Sequence, residues 1–286
     1  MAGMWKRIFV IAKKEFKSNI KNKWIILFVL IFFGLTVLVS FYGSSKGDDE
    51  WRNLEQTILW MSTYMEYMIP ILGVILGYGS IVREKEKGSL QLVLSYPVQR
   101  GEVLSGKFLG LWGVFTVCVT SGLTLGGLII GSKVSFLFWS DYYLFILASV
   151  ILGGVYISIA LMLSVIFEDS MSAMSSSVFV LFLFSFLWLG MMYALAEATF
   201  GWSSMKTGSP PRWYFSLQLL NPTLIWFTLL ALNIPPFRAW ALEFGGEKPV
   251  GTPSFYDTWV MIGILVIWIA IPLLVGEYIL KRKDIY

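Results

Sequence analysis

Histidine is absent from the 286 residues, and cysteine occurs once, at Cys118. The first absence excludes H-E-x-x-H metal sites and every catalytic triad built on an imidazole base. The second excludes an intrachain disulfide and a thiolate metal centre. Charge is scarce as well: Asp, Glu, Lys and Arg make up 14% of the residues, where soluble domains carry about 25%. What is abundant is apolar surface, with 57% hydrophobic residues and a mean hydropathy of +0.72. One or two water-soluble cores in a chain of this length could not hide so much, and lipid must cover the remainder.

Crossing a bilayer takes about 20 apolar residues in a helix. Six runs qualify: Trp24 to Phe41, Met65 to Val82, Phe108 to Ile130, Tyr143 to Phe167, Ala173 to Ala196 and Thr258 to Leu280. They are continuous and rich in Leu, Ile and Phe, without the apolar/polar alternation of membrane strands, so the expected class is an all-α membrane protein with six transmembrane helices. The whole chain, 1–286, reads as one transmembrane domain.

Lys and Arg set the orientation, because cytoplasmic flanks retain positive charge. Fifteen of the 22 basic residues precede the first run, separate the second from the third, or follow the sixth. Both termini are therefore expected inside the cell. The first run is 18 residues and lacks a clear small-residue cleavage site, which favours a retained helix over a signal peptide. Ahead of it, in residues 1–23, Trp5, Ile8, Phe9, Ala12 and Phe16 recur at steps of three or four with lysines on the other faces. That pattern predicts an amphipathic helix along the membrane surface, the plainer alternative being a basic topogenic flank. A pI near 9.0 needs no nucleic-acid partner, since basic residues at the cytoplasmic leaflet account for it.

The polar interruption between the second and third runs, residues 83–107, begins with the mixed charges of Arg83 to Lys87, passes Gly88, and offers Leu90, Val93 and Leu94 at helical spacing before Pro97. Two short helices meeting at the proline fit that pattern. Gly101, Gly106 and Lys107 match seven positions of the phosphate loop G-x-x-x-x-G-K-[ST], but the eighth residue is Phe108, not a Mg²⁺-binding hydroxyl, and no strand leads in. Nucleotide binding by this segment is not expected.

The same segment resembles the first cytoplasmic loop of six-helix permease subunits of type 2 ATP-binding-cassette transporters. The resemblance rests on Glu86, Gly88, Ser89 and Leu90, then Leu94, Pro97, Arg100 and the Gly106-Lys107 pair. Within that family the string from Ser95 to Phe108 is most similar to permeases of nitrous-oxide-reductase maturation systems, with a second echo at Leu219 to Pro222. The resemblance implies a basic connector helix at the N-terminus, a coupling helix between spans 2 and 3, and a dimer of permease protomers, most simply a homodimer, in the cytoplasmic membrane of a prokaryote. It also implies a separate ATPase subunit that holds the ATP and magnesium, leaving this chain without cofactor or catalytic residues. Glu84, Glu86, Gly88, Leu90, Leu94, Pro97 and Arg100 would form the loop gripped by that ATPase. An ordinary solvated loop is the alternative.

Outside the loop, Glu66 lies near the outer end of the second run, where it would face a pathway or reach interfacial water, and Pro70 follows one turn later. Pro272 could likewise kink the sixth span. Glu277 is expected to snorkel or pair with Lys281 to Lys283. Gly73/Gly77, Gly106/Gly110, Gly122/Gly126 and Gly127/Gly131 have the spacing of close helix packing. Glu168-Asp169-Ser170 would be a second cytoplasmic ATPase contact. In the external loop 197–257 the apolar stretch Leu224 to Ile234 is too short to span, so re-entrant or interfacial helices are expected there. Its Asn221-Pro222 pair would contact an extracytoplasmic protein, unless the loop's aromatic residues serve as a lipid belt. Two competitors to an ATP-driven exporter remain: a secondary transporter, disfavoured by the lack of midplane charge and internal repeats, and a permease that relays mechanical work to an external protein.

Overall fold

A computed structural model describes residues 2–43, 54–89, 98–132, 139–201, 211–234 and 255–282. Among these residues every regular element is helical. The amphipathic N-terminal stretch forms α1 (Ala2–Asn19), and α2 (Lys23–Gly43) carries the first expected span. The second is α3 (Leu54–Gly77), continued after a tight turn by the short α4 (Val82–Glu86). Next come α5 (Arg100–Gly131) and α6 (Trp139–Ile166). The fifth span is built from α7 (Ser170–Phe182), one π-helical turn (Leu183–Leu187) and α8 (Trp188–Thr199). The short pair α9 (Arg212–Gln218) and α10 (Pro222–Asn233) precedes α11 (Thr258–Arg282).

Five of these segments are long and apolar enough to cross a membrane, and α2 adds the apolar stretch Ile25–Phe41. The protein is thus a multi-pass membrane protein. Two boundaries differ from the sequence reading. Helix α3 begins at Leu54, more than two turns ahead of Met65, because helical backbone hydrogen bonding continues through polar residues that end an apolar run. Glu66 consequently lies deep within α3, half-buried and without a hydrogen-bond or ion-pair partner among the described residues, while Pro70 is buried one turn on. Helix α5 starts at Arg100, two turns before the apolar run, so Gly101, Gly106 and Lys107 are helical residues, not a phosphate-binding loop.

Helix α6 is the hub, with 83% of its apolar stretch buried. Glycine makes this possible on α3: a Cβ added at Gly73 would lie 2.8 Å from Tyr156 Cβ, and one at Gly77 would lie 2.7 Å from Ala160 Cβ. By contrast the fifth span has 11% of its apolar stretch buried and presents Phe179, Phe182, Phe186 and Leu189 outward. A stripe of Gly106, Gly110 and Gly113 on α5 receives Ile8, Ile11, Ala12 and Phe16 of α1. The connector helix is therefore seated on span 3 by backbone-close contact, and its exposed Trp5, Phe9 and Val10 point away from that seat.

The pair α9 and α10 meets at an angle of 111°, the geometry of a broken span or of a re-entrant loop. Asn221 stands at the bend. Its Oδ1 accepts from the Thr223 and Leu224 backbone N–H groups, capping α10, while Nδ2 donates to Phe184 O at 2.7 Å. That carbonyl belongs to the π turn, where the usual helical hydrogen-bond register is broken. The sequence reading gave Asn221 and Pro222 to an external protein contact; both are buried, Asn221 to 1% exposure, and Asn221 is spent on internal bonds. Residues 202–210 and 235–254 of the external loop lie outside the described residues.

Candidate functional site

The expected gripping loop begins where α3 ends. Two successive backbone N–H groups, of Ile81 and Val82, donate to the buried Ser164 Oγ at 3.0 and 2.9 Å, which fixes the turn between α3 and α4 onto the end of α6. Gly88 closes α4 with φ +67°, a left-handed conformation that favours glycine. Leu90, Leu94 and Pro97 lie outside the described residues. Gln99 restarts the chain, its N–H donating at 2.9 Å to Glu102 in the first turn of α5.

Three charged side chains of this segment, Lys85, Glu86 and Arg100, reach helix ends. Lys85 Nζ donates to the carbonyls of Val165 at 2.5 Å and Phe167 at 3.1 Å, where the α6 ladder runs out of internal donors. Glu86 accepts from the Ser170 N–H at 2.6 Å and the Ser170 hydroxyl at 2.5 Å, at the N-terminus of α7. Asp169 caps the same helix by accepting from Ser172 N–H at 2.8 Å. The hydrogen bonds from Ser170 hold the Glu86 carboxyl below the usual carboxylate range, and the bond from the Ser172 backbone does the same for Asp169. Arg100 Nη1 donates to Leu280 O at 2.5 Å, at the last turn of α11. Spans 4, 5 and 6 are all held by their ends.

Behind this row lies a buried polar core. Lys107 Nζ donates to Glu15 Oε1 at 2.6 Å, Glu84 Oε1 at 2.9 Å and Ser80 O at 3.0 Å, which uses all three ammonium protons. Its side chain is only 3% exposed. A lysine there is tolerated because two carboxylates from different elements neutralise it. Nearby, Glu102 takes a bidentate grip from Arg7 at 2.5 and 2.9 Å. That arginine and the Gln99 N–H keep the Glu102 carboxyl below its ordinary value. Glu277 pairs with Lys281 at 2.5 Å, as its spacing suggested.

Glu84, Glu86 and Arg100, singled out from sequence, are thereby brought to one end of the bundle, each with a partner on another element. Arg7, Glu15, Lys85, Glu102, Lys107 and Ser164 were not singled out for this role, since each has a partner 79 to 95 positions away in the chain. The available signal was a lysine and a glutamate inside the first turns of an otherwise apolar helix. The arrangement links one short segment to five other helices by charged and polar side chains. That segment touches Lys107 and, through it, α1 on one side, and the ends of α6, α7 and α11 on the other.

Comparison with known proteins places these residues in a wider set. Residues 9–285 match the model of the ABC-2 family transporter proteins. A protein of Stutzerimonas stutzeri named "Probable ABC transporter permease protein NosY" is 28% identical over 291 residues, covering 97% of this chain and 99% of its own. A protein of the same name from Pseudomonas aeruginosa is 26% identical over 283 residues, again covering 97% and 99%.

Proposed function

The chain belongs to the ABC-2 transporter family, as a membrane permease, and from that premise we propose that an ATPase carried on a separate polypeptide drives it through the segment Val82 to Arg100. Both termini and this segment face the cytoplasm of a prokaryotic cell, and a second copy of the chain completes the permease. ATP and magnesium belong to the ATPase. The supporting observation is that the side chains Lys85, Glu86 and Arg100 of one short segment hold the ends of spans 4, 5 and 6. A solvated loop that only set topology would not need three such contacts. Closure of the ATPase subunits would press on α4 and displace helices as rigid rods, the usual form of such transitions. The weakly buried fifth span supports the second copy as its covering partner.

The test is purification of the tagged chain from its native membranes in mild detergent, followed by identification of companions and measurement of ATP turnover. A soluble ATPase is expected with the wild type and is expected to be lost from Leu94→Asp at unchanged thermal stability. A wild-type dimer that carries no ATPase would overturn the reading and leave a secondary carrier in its place.

A further inference from the structure

Between α1, the lower halves of α2 and α3, and α5 lies a cavity of about 690 Å³, within the size range of small-molecule sites. Its lining is divided by chemistry. At one end stand Lys14, Arg83 and Lys107 with Glu15 and Glu84, three cations against two carboxylates. At the other stand Ile25, Phe28, Ile75 and Leu76. These same four apolar residues also line a narrow crevice that continues between the helices to Leu72, Phe115 and Cys118. The crevice is too tight for a ligand, so the cavity itself offers the usable space, a charged end and an apolar end.

The polar end is prepared for both an anion and a hydrogen donor. Lys14 is exposed at the rim and forms no ion pair among the described residues. Arg83 folds back over the Tyr78 ring, 4.8 Å from its centroid, and donates to the Tyr78 hydroxyl, which leaves further guanidinium N–H groups for an oxyanion. Gly79 makes room for that fold: a Cβ there would lie 2.7 Å from Arg83 Nε. Lys107 is saturated and does not compete. On the acceptor side, Glu84 Oε2 and Ser80 Oγ are buried and have no hydrogen-bond partner among the described residues. Buried acceptors without a donor are costly, so a ligand that supplies one is favoured here.

We propose that this cavity binds a membrane phospholipid whose headgroup joins a phosphate to a hydrogen-donating amine, the phosphoethanolamine class. The phosphate sits between Arg83 and Lys14, the ammonium is directed to Glu84 and Ser80, and an acyl chain leaves along Ile25, Phe28, Ile75 and Leu76. A nucleotide or free phosphate would leave the apolar half unmatched, and an apolar cargo would leave the charged half unmatched. On the orientation proposed above the lipid comes from the inner leaflet, although the site itself does not depend on that orientation. Its position beside Lys107 ties membrane composition to the polar core that α4 moves.

The experiment uses the delipidated full chain in detergent, with native mass spectrometry and thermal shift as readouts. The probes are dioleoyl phosphatidylethanolamine, dioleoyl phosphatidylcholine and inorganic phosphate. The ethanolamine lipid should bind about tenfold more tightly than the choline lipid, whose quaternary ammonium has no proton to donate. Lys14→Gln with Arg83→Gln, which removes the cations facing the phosphate common to both lipids, should weaken both, and Ile75→Trp, which fills the apolar end of the cavity, should displace the lipid. Equal binding of the two lipids would mark an annular contact and overturn the proposal. Stabilisation by inorganic phosphate equal to that by lipid would overturn it too, by leaving a simple anion site. The comparison of the two lipids on the wild type stands even if a variant fails to fold.

Discussion

Replacing Lys107 by methionine keeps the bulk but leaves Glu15 and Glu84 facing each other without their shared cation. Breaking a buried pair in this way costs about 3 kcal/mol, the low end for such sites because both carboxylates retain some solvent. Denaturation in detergent should show that loss, and adding Glu15→Gln and Glu84→Gln should restore part of it. Glu102 yields a pH prediction. Its folded-state value is depressed by Arg7, so the contact stabilises fully above the ordinary value of 4.5 and fades as pH falls through the lower folded value. The difference in melting temperature between the wild type and Glu102→Gln should be constant from neutral pH down to about that ordinary value, then narrow in stronger acid. Such pairs were illegible in the sequence because nothing local distinguishes a lysine with a buried partner from one that only sets topology. Glu66 was the reverse case: visible as an intramembrane acid, yet placed too near the end of its helix because the polar residues before it were read as a boundary.

The connector helix depends on absent side chains. At Gly110 a Cβ would lie 2.6 Å from Glu15 Cβ and 2.7 Å from the Ala12 carbonyl oxygen, and a backbone oxygen cannot swing aside. Gly110→Ala should therefore lift α1 from α5 at a cost of about 1–3 kcal/mol. Faster tryptic cleavage at Lys13, Lys14 and Lys17 would report it. Gly263→Ala, where nothing lies within 4 Å, is the control and should be neutral or gain up to about 1 kcal/mol from helix propensity. Asn221→Ala removes an N-cap and the donor to the π turn together, so about 2 kcal/mol should be lost and the hairpin should become accessible to protease. Hydropathy made the helices themselves easy to read, and the G-x-x-x-G spacings rightly pointed to packing. The partner of each glycine face was not readable, because the same spacing serves a neighbouring span, as Gly73 does, or a surface helix, as Gly106 and Gly110 do.

For the molecule as a whole, an all-helical membrane protein with five or six apolar spans was foreseeable from composition and run length, because the bilayer leaves so few solutions for a spanning backbone. The order of burial among them was not foreseeable, since α6 and the fifth span are similarly apolar in sequence yet sit at the centre and the edge. Orientation can be tested with the native thiol removed: Ser18→Cys should react only with membrane-permeant reagents in intact cells, and Asp257→Cys also with impermeant ones. The opposite pattern would invert the inside assignment of the termini. The end-clamps on α6 and α11 carry a further consequence for how this molecule tolerates change. Lys85 and Arg100 grip carbonyls of Val165, Phe167 and Leu280, which every amino acid carries. The grip itself thus sets no condition on the side chains of the held positions, where packing alone selects the buried Val165 and Leu280, whereas it does require the gripping residues. Sensitivity of the contact to substitution is in this way one-sided: it falls on the side chains of Lys85 and Arg100 that hold, not on the carbonyls that are held.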